Sequence, residues 1–423
     1  MPLPFPVEIV EYILDFADYP DLTSYLSPPY HLFDHDLPLP AIHLSARELF
    51  SCALVCKQWN TICTPRLYRI LAISDSTAID TLILTLEHSR TTATISGKIL
   101  PLGSLTRHLI IALSDSPLDS KNERFGERFG TRILRRFGNL GRLARCLPHL
   151  QNLSISISTQ DMWGLPPPHY GKDFAAAVTQ TSAHSLLKLH LQREPFVLFS
   201  RRELRTLLES TPNLVAITGA SVGDTIGCPV ALPYLPKLKY LAVNDVMGYC
   251  DRNGHEDNRT PVLEYIHIRQ HHLTNYCAHL LSAQGARLRT VSLDLRLTGD
   301  PNCSDRLSML NNFCPNLSHL EISIDDWASF PRLEPLPPVE RLGVRLRFGN
   351  SDVATICNIL ATIQSSSLEV VQLMNPGMFE RFASDNVESA WEPLVFRTFR
   401  VVDCDGRKLG PPGPRAMNQK GVL

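Results

Sequence analysis

Ten times between residues 147 and 401 the chain repeats one spacing of apolar positions, Leu-x-x-Leu-x-Leu, often with a proline two residues ahead of the first. The copies are LPHLQNLSI (147–155), LLKLHL (186–191), TPNLVAITG (211–219), LPKLKYLAV (235–243), TPVLEYIHI (260–268), ARLRTVSL (286–293), CPNLSHLEI (314–322), PPVERLGV (337–344), SSLEVVQL (366–373) and a degenerate LVFRTFRV (394–401). In the last, Phe396, Phe399 and Val401 take the apolar places. The first apolar residues fall at 150, 186, 214, 238, 263, 288, 317, 339, 368 and 396, so most steps are 22 to 29 residues and one is 36. Alternation within each copy predicts a short strand with one face buried. Between copies lie helical segments with their own caps: Ser200 and Glu203 in capping-box spacing before 200–210, Ser304 before 303–313, and Asp352 before 351–363. A strand–helix unit repeated at this period predicts an irregular α/β solenoid with a curved parallel sheet over 140–405. A doubly wound sheet fits less well, because its strands read as continuous apolar runs and no Gly-rich phosphate turn is present.

The chain begins differently. FPVEIVEYILDFA (5–17) places apolar residues at 9, 10, 13, 14 and 17, one face of a helix. Five prolines within 19–44 rule out a long regular element, so that stretch reads as a loop insertion. Ser45 and Glu48 then have capping-box spacing, and Leu49, Cys52, Ala53, Cys56, Trp59, Ile62 and Cys63 follow as an apolar stripe that Pro65 should end. Residues 1–70 therefore form a small helical module with more apolar surface than it can bury alone. Residues 71–139 read as a transition with the first irregular repeats, including a strand in SLTRHLIIAL (104–113). KNERFGERFGTRILRRFGNLGRLARCL (121–147) reads as a solvated helical face, or else a basic partner face. The end, 406–423, reads as a mobile Gly/Pro-rich tail.

Charge narrows the partners. Forty-one basic and 42 acidic side chains leave no global field to attract nucleic acid or an anionic membrane. No apolar run reaches bilayer length, and the N-terminus, with Glu8 and Glu11 and no basic region, is not a signal peptide. Eleven cysteines, an odd number without a CxxC, read as reduced thiols of a cytoplasmic or nuclear protein rather than as metal ligands.

FPVEIVEYIL followed by LFSCALVCKQWNTI resembles the F-box, the adaptor-binding module of SCF-type ubiquitin ligases. Pro6, Glu8, Ile9, Val10, Ile13 and Leu14 match its first half, with Phe5 where leucine is usual; Leu49, Leu54, Val55, Cys56, Lys57 and Trp59 match its second. The insertion between the halves is longer than the family norm. The repeats resemble the irregular leucine-rich repeats of many F-box proteins, down to the lead-in at Cys314, Pro315 and Leu317, and the layout looks like that of fungal members. The resemblance implies docking of a Skp-type adaptor, and through it cullin and RING subunits, by Phe5, Pro6, Glu8, Ile9, Ile13, Leu49, Leu54, Val55, Cys56 and Trp59. The alternative is that Trp59 and Cys56 pack inward against Ile13 and the first repeat; docking is the favoured reading of the set as a whole. The resemblance also implies a protein target held by the repeats, with no catalysis and no cofactor.

In Leu-x-x-Leu-x-Leu the third and fifth residues should point away from the core. That selects Lys188, His190, Tyr240, Tyr265, His267, His319, Arg341 and Arg400 as target-binding candidates, with a basic and aromatic lean. A repeat scaffold unconnected to ubiquitination is the alternative, and it predicts N-terminal helices with no apolar patch exposed. Chemical motifs are thin. GASVG (219–223) fits a nucleophile elbow at Ser221, yet DTIGCPVALP after it reads as loop rather than helix. His267 and His271 fall on a predicted strand, too far apart for one metal, and read as exposed. CDRNGHEDN (250–258) lacks the terminal Glu of a calcium loop.

Overall fold

The computed structural model describes Glu11, Leu14, 39–75, 78–96, 100–114, 139–158, 171–193, 199, 201–221, 232–245, 260–269, 275–294, 303–327, 330, 336–346, 352–375, 377–384, 388–395 and 397–410. The chain divides into two units: 1–243 with 259–261, and 244–258 with 262–423.

The first unit opens with helix α1 (Leu39–Ala53) and helix α2 (Lys57–Arg69). Both depart from the sequence reading. The predicted insertion ends earlier than 44, because the helix begins at Leu39 with Pro40 in its first turn, where a missing N–H costs nothing. Ser45 is therefore a buried interior residue and not a cap. Pro65 does not end its helix: Cys63 is sealed and Leu67 packs on the same core, so tertiary burial carries α2 on to Arg69.

Strand β1 (Ile70–Ile73) follows α2 directly, and with the helix at Ala78–Ser96 it makes a first repeat without the Leu-x-x-Leu-x-Leu spacing, at the start of the stretch where irregular repeats are expected. Then come β2 (His108–Ser114), β3 (Asn152–Ser158), β4 (Lys188–Arg193) and β5 (Ala216–Ser221). Each pairs in parallel with the next. β6 (Tyr240–Asp245) begins in this unit, with the N–H groups of Lys239 and Tyr240 both donating to the Val215 carbonyl. Helices at 139–145, Gly171–Ser182 and Arg201–Glu209 lie between strands.

The second unit repeats the scheme with β7 (Tyr265–Arg269), β8 (Thr290–Asp294), β9 (His319–Ile324), β10 (Arg341–Leu346), β11 (Val370–Leu373) and β12 (Arg400–Val402). They too pair in parallel in chain order. Intervening helices include Asn275–Gln284, Cys303–Phe313 and Val353–Leu360. Asp352 caps the last as expected, its carboxylate accepting from the Thr355 N–H at 2.6 Å. Ser304 lies inside its helix rather than before it, and Ser200 lies outside the described residues.

The repeated leucines have one task. Leu150, Leu153 and Ile155, then Leu186, Leu189 and Leu191, and in the second unit Leu317, Leu320 and Ile322, are all buried. The proline ahead of them makes a turn: the N–H of Leu214 donates to Thr211, that of Leu238 to Leu235 and that of Leu317 to Cys314. Pro212, Pro236 and Pro315 hold the second turn position, where a fixed φ costs nothing. One carbonyl just before most strands then accepts two N–H groups from the following repeat, as Leu187 does from Val215 and Ala216, and Arg289 from Ser318 and His319.

The second unit ends in a cap. Asp403 follows the Gln372↔Val402 pair, level with Leu373, and is completely buried. It accepts from the backbone N–H of Asp405 and Arg407 and from the Arg407 guanidinium at 2.6 Å. The chain turns back so that Val402 bridges Lys408 antiparallel, covering part of an edge strand.

Candidate functional site

The N-terminal helices form a miniature core. Leu14, Leu49, Ala53 and Cys63 are sealed, and Cys52, Trp59, Ile62 and Leu67 pack around them. Leu14 comes from the first predicted helix, so the two halves of the module meet here. Ile42, Ser45, Leu49 and Ala53 repeat every three to four residues along the buried face of α1. The turn between helices is short: the N–H of Leu54 donates to Ser51 and that of Val55 to Cys52, while the Asn60 amide reaches back to the Ala53 carbonyl at 3.3 Å. Cys56, in extended conformation, starts α2. Burial raises the Cys63 thiol, with Cys52 adding to the rise, as for small hydrophobes in a core.

The opposite side is bare. Leu54 is 69% exposed, Val55 65% and Phe50, one turn earlier on α1, 54%. Three large apolar side chains on adjacent positions of one small module are an unfilled surface and not scattered solvent contacts. α2 also touches β1 and the short helix Leu102–Leu105, so the module packs on the first repeat while this face stays free.

Among the residues implied for docking, Leu54, Val55 and Cys56 are exposed and Trp59 is half-buried against the small core. Leu49 is sealed and belongs to folding, a correction that follows from its place on the buried stripe. Phe5, Pro6, Glu8, Ile9 and Ile13 lie outside the described residues. Phe50 was missed, although its i,i+4 spacing to Leu54 was readable.

Residues 41–74 match the F-box-like family model. The N-terminal module is F-box-like. No curated protein matches the chain. Among solved structures it resembles the leucine-rich repeat-containing protein LegL7 from Legionella pneumophila, at 14% identity over 69% of this chain and 93% of that one, with a TM-score of 0.42. The leucine-rich-repeat character rests on the ladders described above. The F-box-like segment thus adjoins an α/β leucine-rich-repeat array, as the sequence pattern predicted.

The repeat candidates divide. Arg341 and Arg400 are exposed; Lys188 and Tyr240 are half-buried. His190, Tyr265, His267 and His319 are buried, which corrects their expected exposure. They face sideways into neighbouring strands. His190 Nδ1 lies 2.6 Å from Thr218 Oγ1, His267 Nδ1 lies 2.8 Å from Ser292 Oγ, and Tyr265 donates to Glu321 at 3.4 Å. Thr218 and Ser292, each level with its histidine on the next strand, take up the Nδ1 atoms of His190 and His267, a feature visible only once register is known.

Around Glu321 burial dominates. It pushes the carboxyl up to about 7, against hydrogen bonds from Ser292 and Tyr265 and the charge of Arg345. It pushes the Tyr265 phenol up too, and it lowers His319 to about 4, with Arg341 adding to the fall. Ser221 ends β5, and the residues after it, like His271 and 250–258, lie outside the described residues. Among the described residues no cluster of His, Cys, Asp and Glu could hold a metal ion, and no helix is long and apolar enough to cross a membrane.

Proposed function

We propose that this chain is a substrate-recognition subunit of an SCF-type ubiquitin ligase. The F-box-like module docks a Skp-type adaptor through Phe50, Leu54 and Val55, with Cys56 and the exposed edge of Trp59 beside them. The adaptor brings the cullin and RING subunits. The repeats hold a protein target near the ubiquitin-charged enzyme, so the chain contributes proximity and performs no chemistry itself.

The carrying observation is the bare apolar face at the α1–α2 turn, next to a sealed core that already satisfies the module's own folding. A leucine-rich-repeat scaffold without a ubiquitin connection has no use for that face, since its helices need only cap the array. The test is co-purification of the full chain with adaptor and cullin. Wild type captures both; Val55→Asp captures neither while folding normally. Equal capture by the two would defeat the proposal.

A further inference from the structure

A second surface carries chemistry of its own. On the polar face of the second unit, the register aligns Arg341 with Val370 and Val370 with Arg400. Two strand spacings put the arginines about 10 Å apart. Both are exposed, and among the described residues neither side chain makes a hydrogen bond or ion pair. Arg345, four residues further along β10, faces the same way and is half-buried.

The floor between them is apolar and set. Val370, Met374 and Val402 are buried. Gly343 leaves room for Met374, since a Cβ there would stand 2.8 Å from its sulfur. The Gln372 amide is held by the carbonyls of Asp403 and Cys404. Exposed Glu340 and Glu369 stand just before β10 and β11, while the two carboxylates beside the strands themselves are spent. Glu321 is buried with its carboxyl drawn toward the neutral form, and Asp403 is sealed with Arg407. Among the described residues, strands β10 to β12 present positive charge on this face with no exposed carboxylate to neutralise it.

We propose that this face binds an extended acidic protein segment carrying carboxylates three residues apart. A guanidinium fork matches a carboxylate in two parallel hydrogen bonds. A polyproline-type segment turns once in three residues and rises about 9 Å in doing so, which places residues i and i+3 on one side at the spacing of Arg341 and Arg400. This deepens the target-holding role proposed for the repeats and rests on it, but it is independent of adaptor docking.

The probe is a fluorescein-labelled (Glu-Pro-Pro)4 peptide, titrated with the purified full chain, without adaptor, and followed by anisotropy. Binding weakens with salt. The (Gln-Pro-Pro)4 peptide binds on the order of tenfold or more weaker, and Arg341→Gln and Arg400→Gln each lose a similar factor for the Glu peptide. No binding of the Glu peptide, equal binding of the Gln peptide, or undiminished binding by the double variant would overturn the proposal. Adaptor capture by the same preparation separates the cases: if it persists while the peptide fails, this inference alone falls.

Discussion

A single carboxyl shows how far a surface pattern can mislead about a residue. Glu321 occupies a position that alternation assigns to solvent, yet it is buried with Ser292 on the adjacent β8 and Tyr265 on β7 beyond it. Its carboxyl rises from the ordinary 4.5 to about 7, so the folded state keeps a proton that the unfolded chain sheds in that window. The stability it contributes is fully present below 4.5 and is lost as pH rises through 7, by roughly 3 kcal/mol. His319 acts oppositely: falling from 6.5 to about 4, it contributes stability that is present above 6.5 and lost as pH falls through 4. In the wild type the two offset each other between about pH 4.5 and 6.5. Replacing Glu321 with Gln removes one limb, so unfolding free energy of the second unit should rise with pH across that range. A flat profile in the variant, measured by denaturant titration, would contradict the assignment.

At the scale of elements, the turns and leucines were legible and the edges were not. All ten predicted copies carry strands, because each needs three apolar residues on one face and a turn to set register, both local features. β1 escaped notice because its ILAI lacks the proline turn, and the start of α1 because prolines before Ser45 suggested a loop. The polar pairing of His190 and His267 depends on a residue some 25 positions away in sequence and could not be read locally. The same logic separates folding from docking within the F-box-like module. Leu49→Ala opens a cavity in the small core and should cost 2–5 kcal/mol, about what large-to-small core changes cost. Leu54→Asp lies on the bare face and should change stability by less than about 0.5 kcal/mol. Thermal unfolding of both variants checks this; similar losses would mean that the exposed face is part of the core. At the other end, Asp403→Ala leaves three donors without their acceptor and should lower the unfolding midpoint of the second unit, with amides around 400–409 losing protection from hydrogen exchange first.

Over the whole molecule, two surfaces stand apart in chemistry. One is apolar, at residues 50–55 of the first unit; the other is basic, on β10 to β12 of the second. On the proposed reading, an adaptor and a target recognised by such different means need not compete, which is what a receptor joining them would require. The proposed function requires the apolar face to be an interface. The direct measurement is a calorimetric titration of purified Skp-type adaptor into the full chain and into a Leu54→Asp/Val55→Asp variant shown by circular dichroism to be folded. Saturable one-to-one binding by the wild type, lost by at least a hundredfold in the variant (about 2.7 kcal/mol), is the predicted result. No binding by the wild type, or the same affinity in both, would contradict it.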